Sequence, residues 1–531
     1  MIRLHGFRGG LTGLPGNKEV STSMPVQRLA IPERLYLPIS GVDSLTASIG
    51  DRVIGGQQLT NSAPGNSAIW HAPVAGRLVE VVDHPAPHVS GQSVPTLVLE
   101  PDGSDEMVDY TALGWSGVSF EELFAVVEAA GIIGMGGAGF PTCLKLSGAG
   151  SGMLSTLIIN GVECEPEISC DDMLMREQSD KVVAATAKLA ALLQVDKAYI
   201  AVEDDCPQAL SRLAASIQSV KEIAVSAIEL VKLPIRYPSG SEKQLIENLL
   251  GKQVPKGGFP SDIGVLCLNV ATLCAVDDAV TQGIPLMSRI VTVTGDAVAK
   301  PQNRRVLFGT AVADLLSSCG GLIAEVDDLV MGGPMMGFAL SSPLTPIVKT
   351  SNCILVQRAP VLGKRRPIMP CIRCGDCVDV CPAGLLPQQL YWFAKSGEHD
   401  KAERHNLFDC IECGACAYVC PSQLPLVHYY RVAKSEIRTQ WAQLIKADGA
   451  RERMQARDER LERREQEAAE RRLRKRSQRK ISTDNAEPPM SAEVKAAMAR
   501  AKKLQQAGAS ETSEKSVLAD KSTTPTESAR D

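Results

Sequence analysis

Two short cysteine-rich motifs constrain this chain more than any other feature of its sequence. Residues 371 to 382 read CIRCGDCVDVCP and residues 410 to 421 read CIECGACAYVCP, and both follow the spacing C-x2-C-x2-C-x3-C-P. Two copies of this spacing are typical of a pair of cubane iron–sulfur clusters, in which the fourth cysteine of each motif ligates the other cluster. The predicted ligands are Cys371, Cys374, Cys377 and Cys420 for the first cluster, and Cys410, Cys413, Cys416 and Cys381 for the second cluster.

Disulfide bonds and zinc are the alternative uses of these cysteines. A disulfide framework needs an oxidising compartment, and the N-terminal MIRLHGFRGGLTGLPG lacks the apolar segment of a secretory signal. Zinc sites favour CxxC pairs that lie well apart, rather than triplets that end in CP. The chain has 16 cysteines, and those outside the two motifs are scattered without framework spacing. The cysteine pattern therefore favours iron–sulfur clusters in a reducing cytoplasm.

The length and charge of the chain bound its organisation. A chain of 531 residues is too long for one hydrophobic core, so we expect several domains. No apolar run approaches the length of about 18 residues that would predict a membrane span. The formal net charge is -5, yet the segment 451–480 is strongly basic. An acidic body with a basic tail suggests contact with a partner or an anionic surface.

The residue pattern predicts a multidomain α/β protein. Short alternating segments between 31 and 100, divided by Gly and Pro, predict a small β-sandwich or barrel. Within them, HAPVAGRLVEVVDHP resembles the hairpin of lipoyl-type carrier domains without the lysine that such carriers modify. Apolar strands alternate with helical stretches between 120 and 350, which is typical of an α/β fold. Helical spacing between the cysteine motifs predicts an α-helical dicluster ferredoxin, and the last part of the chain reads as charged helix followed by disorder.

The clusters need a source of single electrons. NADH delivers two electrons as a hydride, and a flavin can pass them on one at a time. The candidate flavin segment is GIIGMGGAGFPTCLKL, residues 131–146, whose glycines let backbone N–H groups approach a phosphate closely. Pro141 and Thr142 can begin a helix that faces the same anion, and Lys145 adds a positive charge. The alternative is an ordinary tight turn in an α/β domain.

Four segments resemble the NADH-binding flavoprotein subunit of respiratory complex I. The loop GMGGAGFPTCLKL is similar to its flavin loop, and IINGVECEPEI is similar to the Asn-x-x-Glu-x-Glu-Pro segment that follows. YPSGSEKQLIENLLGKQVP and LCLNVATLCAV are similar to its Gly-Glu-Glu helix start and its Asn-x-x-Thr flavin segment. The chain departs from that family at Met135, where arginine is usual, and at Val162, where an acidic residue is usual. The complex I protein also carries one cluster rather than two.

The whole arrangement resembles the C subunit of the Rnf (or Rsx) electron transport complex. That family has a β-rich N-terminal module, a flavin domain, a ubiquitin-like (SLBB) domain, a dicluster ferredoxin domain and a charged tail. The resemblance implies the following domains: 1–115, a sandwiched-barrel-like β module; 116–285, an FMN- and NADH-binding α/β domain; 286–355, an SLBB β-grasp domain; 360–440, an α-helical dicluster 4Fe-4S ferredoxin domain; and 441–531, a charged helix with a disordered tail.

The resemblance also implies a function. The chain would be a peripheral subunit on the cytoplasmic face of the bacterial inner membrane, attached through its partners and with no role for nucleic acid. It would oxidise NADH through non-covalent FMN and pass electrons through two 4Fe-4S clusters to other Rnf subunits, including a ferredoxin-like iron–sulfur subunit, with ion translocation in the assembled complex. Two alternatives are a soluble cobalamin reductase of the microcompartment type and a non-enzymatic dicluster relay.

The same resemblance assigns the cofactor site. The glycines of the loop 131–146 and Lys145 would hold the FMN phosphate and ribityl chain. Asn160 and Asn269 would hydrogen-bond the flavin or its chain. Glu163 and Glu165 would position the nicotinamide, with helix capping as the alternative, and no residue is expected to act as a catalytic acid or base. For Glu242, the alternative to a role in the cofactor site is an ordinary carboxylate at the start of a helix. The predicted FMN and NADH residues are Gly134, Gly136, Gly137, Gly139, Lys145, Asn160, Glu163, Glu165, Glu242, Asn269 and Thr272.

Overall fold

The computed structural model describes residues 3–61, 69–148, 154–220, 228–358, 367–484 and 491–508. The chain divides into two compact units, Met1–Ile437 and Arg438–Asp531. The parts of the predicted disordered tail at 485–490 and 509–531 lie outside the described residues. Among the residues that are described, no helix combines the length and apolar content needed to cross a membrane.

The N-terminal module is a four-stranded antiparallel sheet with the strand order β2-β5-β4-β3. Its sequence alternates, and Leu35 and Leu37 of one strand lie opposite Leu99 and Leu97 of the next, all with no exposed surface. Burial of each such side chain stabilises the fold by about 1.5–3 kcal/mol. The elements of this region are α1 (Glu19–Thr22), β1 (Gln27–Arg28), β2 (Leu35–Pro38), β3 (Arg52–Val53), β4 (Gly76–Pro85) and β5 (Ser93–Pro101), with a 3-10 turn at Val42–Ser44.

The following region is a parallel sheet covered by helices. Its strand order is β8-β7-β6-β9, and β7 is buried from Ala198 to Glu203, as expected for a strand covered on both faces. The strands β6 and β9 pair in register, which sets Asn160 beside Asn269 at their carboxyl ends. The elements are α2 (Phe120–Ala129), α3 (Thr142–Ser147), β6 (Thr156–Gly161), α4 (Cys170–Glu177), α5 (Ser179–Leu192), β7 (Lys197–Glu203), α6 (Pro207–Val220), β8 (Ile228–Leu233), α7 (Glu242–Leu250), β9 (Val265–Asn269) and α8 (Val270–Gln282), with a 3-10 turn at Pro260–Ile263.

A mixed six-stranded sheet follows, with the order β1-β11-β10-β14-β12-β13. Its edge strand β1 comes from the N-terminal segment and pairs in parallel with β11. Val291, Val293 and Ile354 from neighbouring strands pack with Leu315 of α9 in a separate core. The elements are β10 (Ser288–Thr294), β11 (Gln302–Leu307), α9 (Val312–Ser318), β12 (Asp328–Met331), β13 (Phe338–Ala339) and β14 (Cys353–Gln357).

The cysteine-rich region is helical, as the spacing between the motifs predicts. Each motif contains a glycine with positive φ, Gly375 at 96° and Gly414 at 79°, followed by a one-turn helix. Only glycine adopts this conformation without strain. The elements are α10 (Asp376–Asp379), α11 (Pro387–Lys395), α12 (His399–Arg404), α13 (Ala415–Tyr418), α14 (Leu426–Asp484) and α15 (Ala492–Gly508), with a 3-10 turn at Leu407–Asp409.

The charged helix predicted from 441 begins earlier, at Leu426. Leu426, Tyr430, Ala433 and Ile437 recur on one helical face and are buried in the core of the cysteine-rich region. This first part of α14 therefore completes the ferredoxin-like core. From 451 to 480 the side chains of the helix are exposed, which agrees with the charged sequence of that segment.

Candidate flavin site and iron–sulfur centre

The predicted flavin loop is a closed turn with an open side. The backbone N–H of Gly134 donates to the carbonyl of Phe140 at 2.7 Å, which joins the two ends of the loop. Gly137 has a φ of 110°, and a Cβ atom built there would have no other atom within 4 Å. The free space at Gly137 is the feature that a phosphate or ribityl chain requires.

The base of the loop is held by its neighbours. The backbone N–H of Met135 donates to the Thr272 hydroxyl at 2.9 Å, and the Arg289 guanidinium donates to the Met135 carbonyl at 3.0 Å. A Cβ atom on Gly136 would lie 3.6 Å from Asn269. Thr272 and Asn269, which the sequence predicts as site residues, therefore contact the loop itself.

The two predicted asparagines organise the backbone around the loop. Asn269 accepts from the backbone N–H groups of Ala271 and Thr272, which caps α8, and donates to Asp171 at 2.6 Å. Asn160 donates to the carbonyl of Gly240 at 2.9 Å and accepts from the N–H of Val162 at 3.0 Å. The side chains thus connect the ends of β6 and β9 to the segments that surround the predicted site.

Lys145 and Glu242 form an ion pair with a distance of 2.5 Å. Lys145 also donates to the carbonyl of Cys267 at 3.2 Å, so its ammonium group lies near the end of β9. Glu242 is the first residue of α7, where a carboxylate is favourable to the helix dipole. The structure therefore brings the two predicted residues together. It also places Glu242 at the start of a helix, which is the alternative to a role in the cofactor site.

Glu163 is buried at the start of α4. Its carboxylate accepts from the backbone N–H groups of Asp171 at 3.0 Å and Asp172 at 3.2 Å, which corresponds to the helix-capping alternative, although in the interior rather than on the surface. Burial, with the neighbouring carboxylate of Asp171, raises the pKa of Glu163 to about 7. Lys18 partly offsets this effect and donates to the backbone carbonyl of Glu163 at 2.6 Å.

Glu165 binds a different segment. Its carboxylate accepts from the backbone N–H groups of Met335 at 3.2 Å and Met336 at 2.6 Å, within the glycine- and methionine-rich loop GGPMMG. Burial raises the pKa of Glu165 to about 7, and the two hydrogen bonds only partly oppose this shift. Glu165 therefore joins the predicted flavin site to the loop between β12 and β13.

We expect Glu165→Gln to weaken the dependence of stability on pH. The ordinary pKa of 4.5 rises to about 7 in the folded protein, so the protonated carboxyl favours folding below about pH 4.5 and this stabilisation is lost as pH rises through 7. The melting temperature of the wild type should fall over that interval, with Glu163 and Glu203 acting in the same direction. The variant should show a shallower fall in scanning calorimetry.

The control for this variant is Glu121→Gln, on the exposed side of α2. Its pH dependence should match that of the wild type. Equal slopes for all three proteins would contradict the assigned protonation of Glu165.

The structure gathers the motif cysteines into the two predicted sets. A cavity in the cysteine-rich region is lined by the four thiols assigned to the second cluster, including Cys381 from the first motif. Burial raises the pKa of Cys377, and the nearby thiols of Cys374, Cys420 and Cys371 raise it further. The exchange of the fourth cysteine between motifs therefore agrees with the folded geometry.

A buried cation lies beside the second cluster site. Lys434, only 4% exposed, donates to the carbonyl of Cys410 at 2.6 Å and to Glu412 at 2.8 Å. Arg431 donates to the other oxygen of Glu412 at 3.0 Å. This arrangement sets fixed positive charge next to cysteines that become thiolates when they bind iron.

We expect Lys434→Met to lower the reduction potential of the second cluster. The lost positive charge no longer stabilises the reduced cluster. Glu412 keeps only Arg431 as partner, so the fold should also lose about 1–3 kcal/mol. Redox titration followed by EPR, together with thermal unfolding, measures both effects. The control Lys401→Met removes an exposed ion pair with Glu398 and should change neither quantity. An unchanged potential in Lys434→Met would contradict the charge effect.

Three contacts at the site involve residues that the sequence does not mark as functional. Arg289 and Lys18 reach the flavin loop and Glu163 from distant parts of the chain, and no local pattern distinguishes them. Tyr237, whose hydroxyl donates to the carbonyl of Cys413 at 2.5 Å, begins the segment that resembles the Gly-Glu-Glu helix start. Its position next to matched site residues is the one signal that could have found it.

Four family models match successive parts of the chain. They are the RnfC barrel sandwich hybrid domain at residues 5–104, the Nuo51 FMN-binding domain at residues 127–278, the SLBB domain at residues 290–339 and the 4Fe-4S dicluster domain at residues 370–424. These matches confirm the predicted fold class. They also confirm the predicted cofactors, which are FMN and two 4Fe-4S clusters.

Several relatives are similar over most of the chain, and each is named as the C subunit of an ion-translocating oxidoreductase complex. The relative from Pseudomonas aeruginosa is 45% identical, covering 89% of this chain and 61% of the relative. The one from Yersinia enterocolitica is 45% identical over 86% of this chain and 65% of the relative, and the one from Salmonella arizonae is 42% identical over 86% of this chain and 68% of the relative. The chain thus spans about three fifths to two thirds of the length of these relatives, and it belongs to the RnfC family, the C subunits of ion-translocating oxidoreductase complexes.

Proposed function

We propose that this chain is the electron-input subunit of an ion-translocating oxidoreductase complex. It oxidises NADH at FMN and passes electrons through its two clusters to partner subunits, from the cytoplasmic face of the membrane. The observation that carries the proposal is the position of the segment 160–165. On one side Asn160 lies beside Asn269, which is the neighbour of Gly136 in the glycine loop. On the other side Glu165 binds the loop that packs on the second cysteine motif.

The residues of the chain then have distinct roles. FMN, when bound, accepts two electrons as a hydride and releases them one at a time. The open side of the glycine loop would hold the phosphate and ribityl chain. Lys145, which is paired with Glu242, would supply the positive charge beside the phosphate. Asn160 and Asn269 orient the flavin from the strand ends, where ligands of parallel α/β sheets commonly bind.

The carboxylates position NADH rather than reacting with it. Glu163 and Glu165 can accept hydrogen bonds from the nicotinamide amide or the ribose hydroxyls. Because burial raises the pKa of both groups to about 7, one or both can also be protonated and donate to a nicotinamide carbonyl. Hydride transfer needs no further acid or base.

The relatives support a place in an ion-translocating complex. Each of the three is named as belonging to an ion-translocating oxidoreductase complex, so other subunits of that complex are the expected electron acceptors. A soluble cobalamin reductase is not favoured by these relatives. A dicluster relay without NADH chemistry is the second candidate, because Met135 and Val162 replace residues that are usual in the complex I flavoprotein.

The test uses the full chain, purified anaerobically and reconstituted with FMN, iron and sulfide. NADH is added in a stopped-flow instrument, flavin bleaching is followed optically, and reduced clusters are followed by EPR of frozen samples. We expect bleaching and then cluster signals, with NADPH as the comparison reductant. Clusters that respond to dithionite but not to NADH, in protein that retains no FMN, would establish the relay instead.

A further inference from the structure

We propose that electrons reach the pair of clusters at the second cluster, across a contact made by Tyr237, and leave from the first cluster. The proposal deepens the proposed function and rests on it. It assigns an order to two clusters whose cysteine motifs have identical spacing. The order follows from what each set of cysteines contacts in the folded chain.

Tyr237 provides the first link between the flavin site and the second cluster. The side chain is 2% exposed, and its hydroxyl donates to the carbonyl of Cys413 at 2.5 Å. Three residues later, the carbonyl of Gly240 accepts from Asn160, and its N–H donates to the Cys164 sulfur at 3.3 Å. One short turn therefore contacts the predicted flavin segment at one end and a predicted cluster ligand at the other.

A second link runs through Glu165. Its carboxylate holds the N–H groups of Met335 and Met336, and a side chain at Gly414 would overlap the carbonyl of Met335. Gly414 directly follows Cys413. Arg431, which pairs with Glu412, also donates to the carbonyl of Met336 at 2.9 Å. The second motif is thus fixed against the loop that Glu165 organises.

The space between these links is packed with side chains. Tyr237, Met335, Cys413 and Ala415 form one buried apolar cluster, against which Cys164 packs. Electron tunnelling is faster through packed atoms than across a gap of the same length. The buried residues therefore offer a continuous path from the flavin segment to the second cluster.

The first cluster faces outward. In the first set Cys374 is exposed and the other three cysteines are partly exposed. In the second set Cys410 is partly exposed, and Cys381, Cys413 and Cys416 are only 7–8% exposed. Ile372, which follows Cys371 in the first motif, is 67% exposed. An external acceptor can approach these residues more closely than it can approach the buried thiols of the second cluster. The solvent-facing cluster is therefore the one that gives electrons away.

Each step in this route moves one electron. With FMN and both clusters bound, one electron would pass from the reduced flavin to the second cluster, and this cluster would be oxidised again when it reduces the first cluster. The first cluster is reoxidised by the acceptor. For each NADH, two electrons follow in two such rounds, and one net proton is released as NADH becomes NAD+.

The main experiment removes one cluster at a time from the full chain. Cys374→Ala with Cys377→Ala removes the first cluster, and Cys413→Ala with Cys416→Ala removes the second. FMN is reduced either by NADH or by light with EDTA, and samples frozen at short times are studied by EPR. We expect the second cluster to be reduced normally when the first is absent. We expect reduction of the first cluster to be lost when the second is absent, and to return with dithionite.

The opposite pattern would overturn the order of the clusters. Light reduction separates the two proposals, because it does not depend on NADH. FMN that is reduced by light but not by NADH contradicts the proposed function while leaving the route open to the same measurement. A wild-type chain that retains no FMN would overturn both.

Tyr237→Phe tests the contact itself. The variant removes one hydroxyl that donates toward a cluster ligand, so we expect slower reduction of the second cluster and a lower reduction potential. The matched control is Tyr430→Phe, because Tyr430 lines the same cysteine cavity and donates to the carbonyl of Pro387 at 2.6 Å, away from the flavin segment. Equal rates and potentials in the two variants would show that Tyr237 has no special role.

Discussion

Gly137→Val is expected to abolish FMN retention while both iron–sulfur clusters still assemble. Gly137 has a φ of 110°, a conformation that a β-branched residue adopts only with strain. Its side chain would also project into the open side of the loop, since no atom lies within 4 Å of the Cβ position. Because none of the described residues fills this space, the substitution should exclude the cofactor more strongly than it destabilises the fold. The ratio of flavin to protein after gel filtration, with iron and sulfide content, measures both outcomes.

Gly103→Val is the matched control. Gly103 also has a positive φ, of 77°, and open space at its Cβ position, but it follows β5 in the N-terminal module. The strain should be similar, and FMN retention should equal that of the wild type. Full FMN retention in Gly137→Val would contradict the assignment of the loop. Equal loss in both variants would attribute the effect to strain alone.

Arg289→Met is expected to destabilise the protein by about 1–3 kcal/mol for each buried carbonyl that loses its donor, and to weaken FMN binding. The guanidinium is 2% exposed and donates to three backbone carbonyls, those of Met135, Lys349 and Ile290. Methionine fills much of the same volume but leaves these carbonyls without a donor, and each unpaired buried group costs about 1–3 kcal/mol. Loss of the bond to Met135 also frees the base of the flavin loop. Thermal unfolding and fluorescence titration with FMN measure the two effects.

Arg304→Met separates stability from binding. Arg304 lies on β11, beside β10, and donates to the Ser318 carbonyl and to Gln27, far from the flavin loop. We expect it to lower the melting temperature without changing the affinity for FMN. An unchanged FMN affinity in Arg289→Met would contradict a role for this side chain in supporting the loop.

Arg289 also accounts for one departure from the complex I pattern. That family usually has arginine at the position of Met135, and here a guanidinium reaches the carbonyl of Met135 from β10. The positive charge near the loop thus comes from the six-stranded sheet. A local motif cannot predict this, because β10 lies more than 150 residues further along the chain.

The predicted carboxylates show a similar limit. Glu163 and Glu165 lie two residues apart in one segment of the sequence, and nothing in that segment predicts that they bind different partners. In the fold, Glu163 caps α4, whereas Glu165 binds the loop at Met335. Their assignment to NADH remains a prediction, and the structure adds that both are buried.

The sequence by itself determined the clusters, because thiolate spacing within a short loop is a local property that iron geometry selects. It also determined the glycine loop, since positive φ is a property of single residues. Only the tertiary structure decided which cysteine motif contacts the segment at Tyr237 and which one holds the exposed cysteine. That difference depends on contacts between residues far apart in sequence, such as Tyr237 with Cys413, while the two motifs have the same spacing. Identical local patterns become unequal when the fold leaves Cys374 of one motif exposed and buries its counterpart Cys413 in the other.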